Sequence, residues 1–282
     1  MNSERERDPN PKSNCRAERV TCKARSRLTL ESFSSMCTIA ILLEVVAGAP
    51  LVLAANRDET YARPTRPPES LGDRIAGGVD VLSGGTWLAI RRDGRFAALT
   101  NQQELVPMPP GLRSRGLAVR ELAAAADQDG YVAALDPTMY ASMNLVWGDA
   151  HGVSIAYARS EGVLEIEPLP RGIHVLCNDR LGSKRFPRGT RLHQAIANAP
   201  LSWPELLPVL QTALADHTRE DSPPSRLPAK VARELTATCI HIALYGTRSS
   251  TIIAARPGQT LAYLHADGPP CTAPFVDQRA LL

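Results

Sequence analysis

From residue 36 onward, short apolar runs alternate with clusters of glycine, proline, asparagine and aspartate. The clearest unit is 36–59. It holds an apolar run, a Gly/Ala/Pro reversal at 47–50, and a second apolar run ending in Asn56, Arg57, Asp58 and Glu59. Runs of this length bounded by turn residues predict two strands of a sheet buried on at least one face. A hairpin sets Cys37, at the tip of the first strand, beside the polar end of the second. The stretch therefore gathers a thiol, a carboxamide, a guanidinium and two carboxylates at one sheet end.

The remaining pattern predicts further elements. Pro64, Pro67 and Pro68 make a segment too proline-dense for a helix or a central strand, hence a loop. Strands over 86–92 and 95–100 meet at Asp93-Gly94, a short-hairpin signal, and the second ends at Asn101. Ser114 is placed to cap a helix over 115–127, with Leu117, Ala118, Leu122 and Ala125 on one face. Short strands at 143–148, 153–158, 163–166 and 173–177 follow, the last closing on Asn178. Two helices come next; the second carries a capping box at Ser202 and Glu205 and a stripe of Trp203, Leu206, Leu207, Leu210 and Leu214. Residues 222–228 read as a loop before strands at 238–245, 250–255 and 260–265, with Arg248 in the turn between the first two. Strand pairs dominate and few need a helical crossover. The expectation is an α+β chain with mostly antiparallel sheets, helices covering both outer faces of a two-sheet sandwich.

Residues 1–35 break the pattern. They are rich in Arg, Glu, Ser, Pro and Asn, with isolated apolar residues that cannot offset the entropy of ordering. The segment reads as a disordered tail, a removable leader or upstream sequence, and the working protein as starting at Met36 or Cys37. One domain is expected over 36–282.

Composition narrows the function classes. A net charge of +3 on 282 residues gives no argument for nucleic acid or a membrane surface. No apolar run reaches the roughly 18 residues of a membrane-spanning helix, and the first 35 residues hold no secretory signal. Six cysteines (15, 22, 37, 177, 239, 271) show no C-x-x-C pair, and six histidines show no ligand spacing, so no metal and no cofactor is assigned. Scattered thiols without a secretion signal suggest a reducing, cytoplasmic setting. Phosphate-loop, dinucleotide, serine-hydrolase and RNA-binding motifs are missing from the sequence.

Cys37 is the sharpest chemical candidate. With Met36 cleaved it would carry a thiol (pKa about 8.5) and an α-amine (about 7.7 to 8.0) able to take the thiol proton. A small buried hydrophobe is the alternative for a free cysteine. Asn101 and Asn178 each end a strand, where an amide can donate to a developing oxyanion or merely make a turn. Asn56–Glu59 fits a solvated turn or a site, and Arg248 fits a turn.

Met36-Cys37-Thr38-Ile39 followed by Asn56-Arg57-Asp58-Glu59 resembles the signature of the NRDE proteins, related to transport and Golgi organisation protein 2. Further blocks agree in order: Gly84-Gly85-Thr86-Trp87, Gly94-Arg95-Phe96 through Asn101, Ser114-Arg115-Gly116, Asn144-Leu145-Val146, Leu176-Cys177-Asn178, and Tyr245-Gly246-Thr247-Arg248-Ser249-Ser250-Thr251. They cover Met36 to about Leu264. That family is in turn similar to N-terminal-nucleophile (Ntn) hydrolases, nearest to the cysteine type that cleaves bile-salt and penicillin amides. The resemblance implies a four-layer α/β/β/α sandwich. It implies Cys37 as nucleophile and base after removal of residues 1–36, Asp58 as orienting carboxylate, and Asn101 and Asn178 as oxyanion or substrate donors. Asn56, Arg57, Glu59 and Arg248 would be substrate-binding. Two departures stand out: the arginine that those hydrolases carry just before the asparagine is Ala55 here, and 36 residues precede Cys37.

The activity so implied is hydrolysis of a linear amide of a small acyl compound, water resolving a thioester. The competing expectation is a non-catalytic protein that binds or traffics a ligand of the haem or acyl-coenzyme A type in the same cleft. Neither involves nucleic acid or an integral membrane segment.

Overall fold

The computed structural model describes residues 36–102, 111–222, 224 and 227–282. Strands β1 (Met36–Leu43) and β2 (Leu51–Thr60) are buried on both faces. Ile39, Ile41, Leu53 and Ala55 enter one core, while Ala40, Leu42, Val52 and Ala54 enter another. Successive side chains of a strand point to opposite faces, so a strand apolar at every position needs a cover on each side.

The covers follow along the chain. First come β3 (Thr65–Gly72), β4 (Ile75–Asp80), β5 (Leu88–Arg91), β6 (Phe96–Asn101), α1 (Arg115–Ala124) and α2 (Gln128–Ala133). Then come β7 (Met143–Asp149), β8 (Gly152–Ala158), β9 (Leu164–Pro168), β10 (Gly172–Leu176), α3 (Pro187–Ala197) and α4 (Leu207–Leu214). The last are α5 (Ala229–Glu234), β11 (His241–Ile242), β12 (Tyr245–Arg256), β13 (Gln259–Ala266) and β14 (Val276–Asp277). One sheet is ordered β10-β1-β2-β12-β13-β14, with β11 paired to β12; the other runs from β3 to β9 in chain order. The pairings between these strands are antiparallel.

Three buried clusters define the layers. Between the sheets, Ile41 and Leu53 belong to the same core as Phe96, Val146 and Ile155. Outside the second sheet, Val119 and Leu122 of α1 share a cluster with Ala97, Leu99 and Leu145. Outside the first, Leu192, Ile196, Leu210 and Leu214 of α3 and α4 share one with Ala40, Leu42, Val52 and Ala54. Helix, sheet, sheet, helix is the expected four-layer α+β sandwich. No helix among the described residues is long and apolar enough to cross a membrane.

Several boundaries differ from the pattern reading. The proline-rich segment is not a loop but β3, an edge strand whose ladder shifts between Arg66 and Glu69 and so leaves Pro67 and Pro68 unpaired. Edges and bulges are where a sheet tolerates proline. The helix expected over 115–127 stops at Ala124, and Ser114 makes no side-chain cap bond. A second helix begins instead at Asp127, whose Oδ1 accepts from the Gly130 amide at 2.9 Å. Ser202 Oγ donates to Glu205 Oε2 at 2.9 Å rather than capping a backbone, and α4 starts only at Leu207. The strand expected over 238–245 shrinks to β11. Arg248 lies inside β12, at a bulge between Thr247 and Ser249, and not in a hairpin turn.

Candidate active site

The β1–β2 register sets Cys37 opposite Arg57, Met36 opposite Asp58 and Thr38 opposite Asn56. Cys37, Arg57 and Glu59 share the parity of the strand positions that face the other sheet, and Asn56 and Asp58 that of the positions facing the helices. The hairpin therefore does bring the polar residues alongside Cys37. Period two then divides the four between the two faces of the sheet at that end.

The inter-sheet face opens into a cleft of about 510 Å³ whose lining includes Cys37, Arg57, Glu59 and Asn101. Its walls carry Arg57, Arg63, Arg113 and Arg115 against Glu59 and Asp80. Arg63 Nε is 2.6 Å from Asp80 Oδ2, whereas Arg57 Nη2 stands 3.7 Å from Glu59 Oε2 and 3.9 Å from Asp80 Oδ2. Arg115 comes to the wall through a backbone contact between two of the sequence blocks. Thr86 N donates to Gly116 O at 3.0 Å, and a Cβ on Gly85 would fall 2.3 Å from the Gly116 carbonyl carbon, so only glycine fits there.

Behind Cys37 lies a dense polar frame. The Cys37 backbone nitrogen donates to Asn178 Oδ1 at 3.2 Å, and Asn178 Nδ2 donates to the Asn101 carbonyl at 2.7 Å. Arg188, 1% exposed, donates through Nη2 to Asn178 Oδ1 (3.2 Å), through Nε to Thr38 Oγ1 (2.8 Å) and through Nη1 to Leu235 O (2.8 Å). Thr247 Oγ1 donates to Asp58 Oδ1 at 2.6 Å. The two sheets are braced at the same end: Thr100 Oγ1 donates to Cys177 O (2.7 Å) and Asn144 Nδ2 to Asp179 O (2.9 Å).

Electrostatics follow from burial. Burial and the neighbouring Asp58 carboxylate push the Cys37 thiol up to about 12, against the pull of Arg57 and of a hydrogen bond with the Asp58 backbone. Burial likewise raises the Asp58 carboxyl to about 6, against Arg188, the Thr247 hydroxyl and Arg57. Removing charged groups from water is the larger effect in both cases. A cysteine in this place is a protonated, unreactive thiol until a base reaches it.

Asn56 and Arg248 are not among the cleft-lining residues. Asn56 Nδ2 donates to Leu214 O and Thr238 O, both at 2.9 Å, and its Oδ1 accepts from Ser250 Oγ, which ties α4 and the segment before β11 to the sheet. Arg248 Nη1 donates to Tyr61 O at 3.3 Å. Three residues of the frame escape a reading of residue types alone: Thr247 and Asn144, which lie within the sequence blocks, and Arg188, which carries no sequence signal.

The family profile described as Transport and Golgi organisation 2 matches residues 36–266. Curated relatives include the Transport and Golgi organization 2 homolog of Mus musculus, 31% identical over 227 residues that cover 72% of this chain and 81% of that protein. The Homo sapiens homolog is 31% identical over 230 residues with the same coverage. Similar solved structures include the Caenorhabditis elegans ortholog of N-acylethanolamine-hydrolyzing acid amidase, at 10% identity and a TM-score of 0.49, covering 77% of this chain and 92% of that one. Another is a mutant conjugated bile acid hydrolase from Clostridium perfringens, at 10% identity and a TM-score of 0.48, covering 86% and 93%.

Proposed function

The chain belongs to the Transport and Golgi organisation 2 family, and from that premise we propose that it is an amidohydrolase of the N-terminal-cysteine type, active once Cys37 is the first residue. Its substrate is the linear amide of a small acyl compound. The observation that carries this reading is the division around Cys37: the residue lines the cleft, while its backbone nitrogen is held from behind by Asn178.

An α-amine at that nitrogen keeps Asn178 as its acceptor and gains the base that the internal residue lacks. The amine takes the thiol proton, and sulfur adds to the substrate carbonyl. The proton then passes to the departing nitrogen, leaving an acyl thioester that water cleaves with the amine again as base. Asn101, at the cleft, is assigned to the oxyanion. Asn178 spends both ends of its amide on Cys37, Arg188 and Asn101, which fits a positioning role better than an oxyanion donor. Asp58 is assigned to orienting the amine. Four guanidiniums against two carboxylates on the walls favour a substrate with an anionic group.

One observation favours a second reading. With Met36 still attached, Cys37 has no α-amine and burial pushes its thiol up to about 12, which leaves a cleft lined by Arg57, Arg63, Arg113 and Arg115 to hold an anionic ligand, of the haem or acyl-coenzyme A type, without turnover. A chain starting at Cys37 is expected to be labelled by a cysteine-directed amide analogue, and its Cys37→Ala counterpart not. Equal labelling of both removes the nucleophile. A stoichiometric copurified ligand, unchanged by long incubation, selects the binding reading.

A further inference from the structure

The cysteines and histidines show no metal-ligand spacing along the chain, yet the fold draws four of them together. His217 follows α4, Cys239 precedes β11, His241 opens it, and Cys271 sits on the loop between β13 and β14. One ligand atom from each lies within 4.8 Å of all the others. Cys239 Sγ is 3.7 Å from Cys271 Sγ, and His241 Nε2 is 3.5 Å from the first sulfur and 3.3 Å from the second. A tetrahedral zinc ion, with bonds of about 2.3 Å to sulfur and about 2.05 Å to nitrogen, needs S–S near ~3.75 Å and S–N near ~3.55 Å. A disulfide needs about 2.05 Å.

The surroundings fit the same geometry. His217 Nδ1 is 3.0 Å from the Cys239 carbonyl oxygen, so the tautomer that donates there leaves Nε2 as a ligand. A backbone carbonyl behind the imidazole is the usual outer partner of a metal-binding histidine. Cys239 is buried, while His217, His241 and Cys271 reach solvent and give a cation a route in. The segment is already tied to the residues after α4, because Cys239 N donates to Asp216 O at 2.9 Å. Its neighbours serve the frame behind Cys37: Thr238 O accepts from Asn56, and Ile240 N donates at 2.9 Å to Thr247 Oγ1, the hydroxyl that holds Asp58.

We propose that His217, Cys239, His241 and Cys271 form a Cys2His2 site for a thiophilic divalent cation of the zinc type. The cation staples the 267–275 loop to the segment that holds Asn56 and Asp58. Two thiolates and two imidazoles select zinc over the oxygen-seeking magnesium and calcium. Each binding event forms two metal–sulfur and two metal–nitrogen bonds and releases the two thiol protons to solvent. Binding of the cation requires no turnover at Cys37.

The test is zinc content and cobalt(II) spectroscopy on the full chain, purified under reducing conditions without chelator. The expected result is about one zinc per chain, together with the thiolate-to-cobalt and tetrahedral d–d bands when cobalt replaces it. Cys271→Ser, on an exposed loop, should lose the zinc and the bands, and its melting temperature should no longer rise on zinc addition. Cys37→Ala should keep both, which separates this site from the hydrolytic reading. Should Cys271→Ser fail to fold, the cobalt spectrum of the unaltered chain still decides. Zinc content and spectra no different between the unaltered chain and Cys271→Ser would overturn the proposal, as would a Cys239–Cys271 disulfide in the reduced preparation.

Discussion

The two faces of the β1–β2 hairpin carry alternate residues of one short sequence and have opposite characters. Toward the cleft, Arg57 stands 3.7 and 3.9 Å from its acidic neighbours, distances too long for tight hydrogen-bonded pairs and open to rearrangement around a ligand. Toward the helices, Asn56 and Asp58 are fully buried and bonded at 2.6 to 2.9 Å to Thr247, Leu214 and Thr238. The contrast divides Asn-Arg-Asp-Glu into residues that line the cleft and residues that hold the frame. Cys37 belongs to both, its side chain to the first and its nitrogen to the second.

Substitutions on the two faces should therefore fail differently. The largest effect is on turnover: in a chain starting at Cys37, Cys37→Ala should lower the single-turnover rate by ~10⁴-fold or more while costing only about 1 kcal/mol of stability. A comparable loss of stability would place Cys37 with the frame alone. Next is Arg188→Met, which leaves Asp58 a buried charge without that partner. It should cost about 3–5 kcal/mol in urea unfolding, and a loss below about 1 kcal/mol would show the frame to be loose.

The third prediction concerns pH. Asp58 is raised from 3.8 to about 6 in the fold, so the native state binds the extra proton between those values. Its contribution to stability is full below the unfolded pKa and is lost as pH rises through the folded one. Relative to wild type, Asp58→Asn should gain on the order of 3 kcal/mol between about pH 4 and pH 7, at 1.36 kcal/mol per pKa unit. His265, lowered by burial to about 4, slopes the opposite way but is present in both chains and cancels. A flat difference would mean that the carboxyl is not desolvated. Smallest is Arg57→Gln on the cleft face: about tenfold weaker binding of an anionic acyl ligand, roughly 1.4 kcal/mol, with less loss of stability than Arg188→Met because its ion pairs are long at 3.7 and 3.9 Å. Calorimetric titration and urea midpoints separate the two readouts.

How much of this is legible in sequence depends on which force sets each feature. The hairpin is legible because its apolar runs are long and bounded by turn residues. Which face each polar residue takes is not, because both faces are buried and the alternation carries no apolar/polar contrast. β3 is hidden by Pro67 and Pro68, which the pattern reads as a loop and an edge strand absorbs at a ladder shift. Arg188 follows Pro187 in the first turn of α3, a place that reads as solvent. Its burial arises only from partners as far as 150 residues away in the chain. The Cys/His tetrad is invisible for the same reason, its members brought together by α4, β11 and a loop after β13. The family blocks, by contrast, mark backbone approaches such as Gly85 against Gly116, where a single residue type fits.

A free amine on Cys37, held by Asn178, should serve as the base for its own thiol. This is tested most directly by comparing two otherwise identical chains, one beginning at Cys37 and one at Met36, for their rates of labelling by an amide-based electrophile near neutral pH. Cys37 should be acylated rapidly in the first and stay inert in the second. Equal rates in both would contradict it.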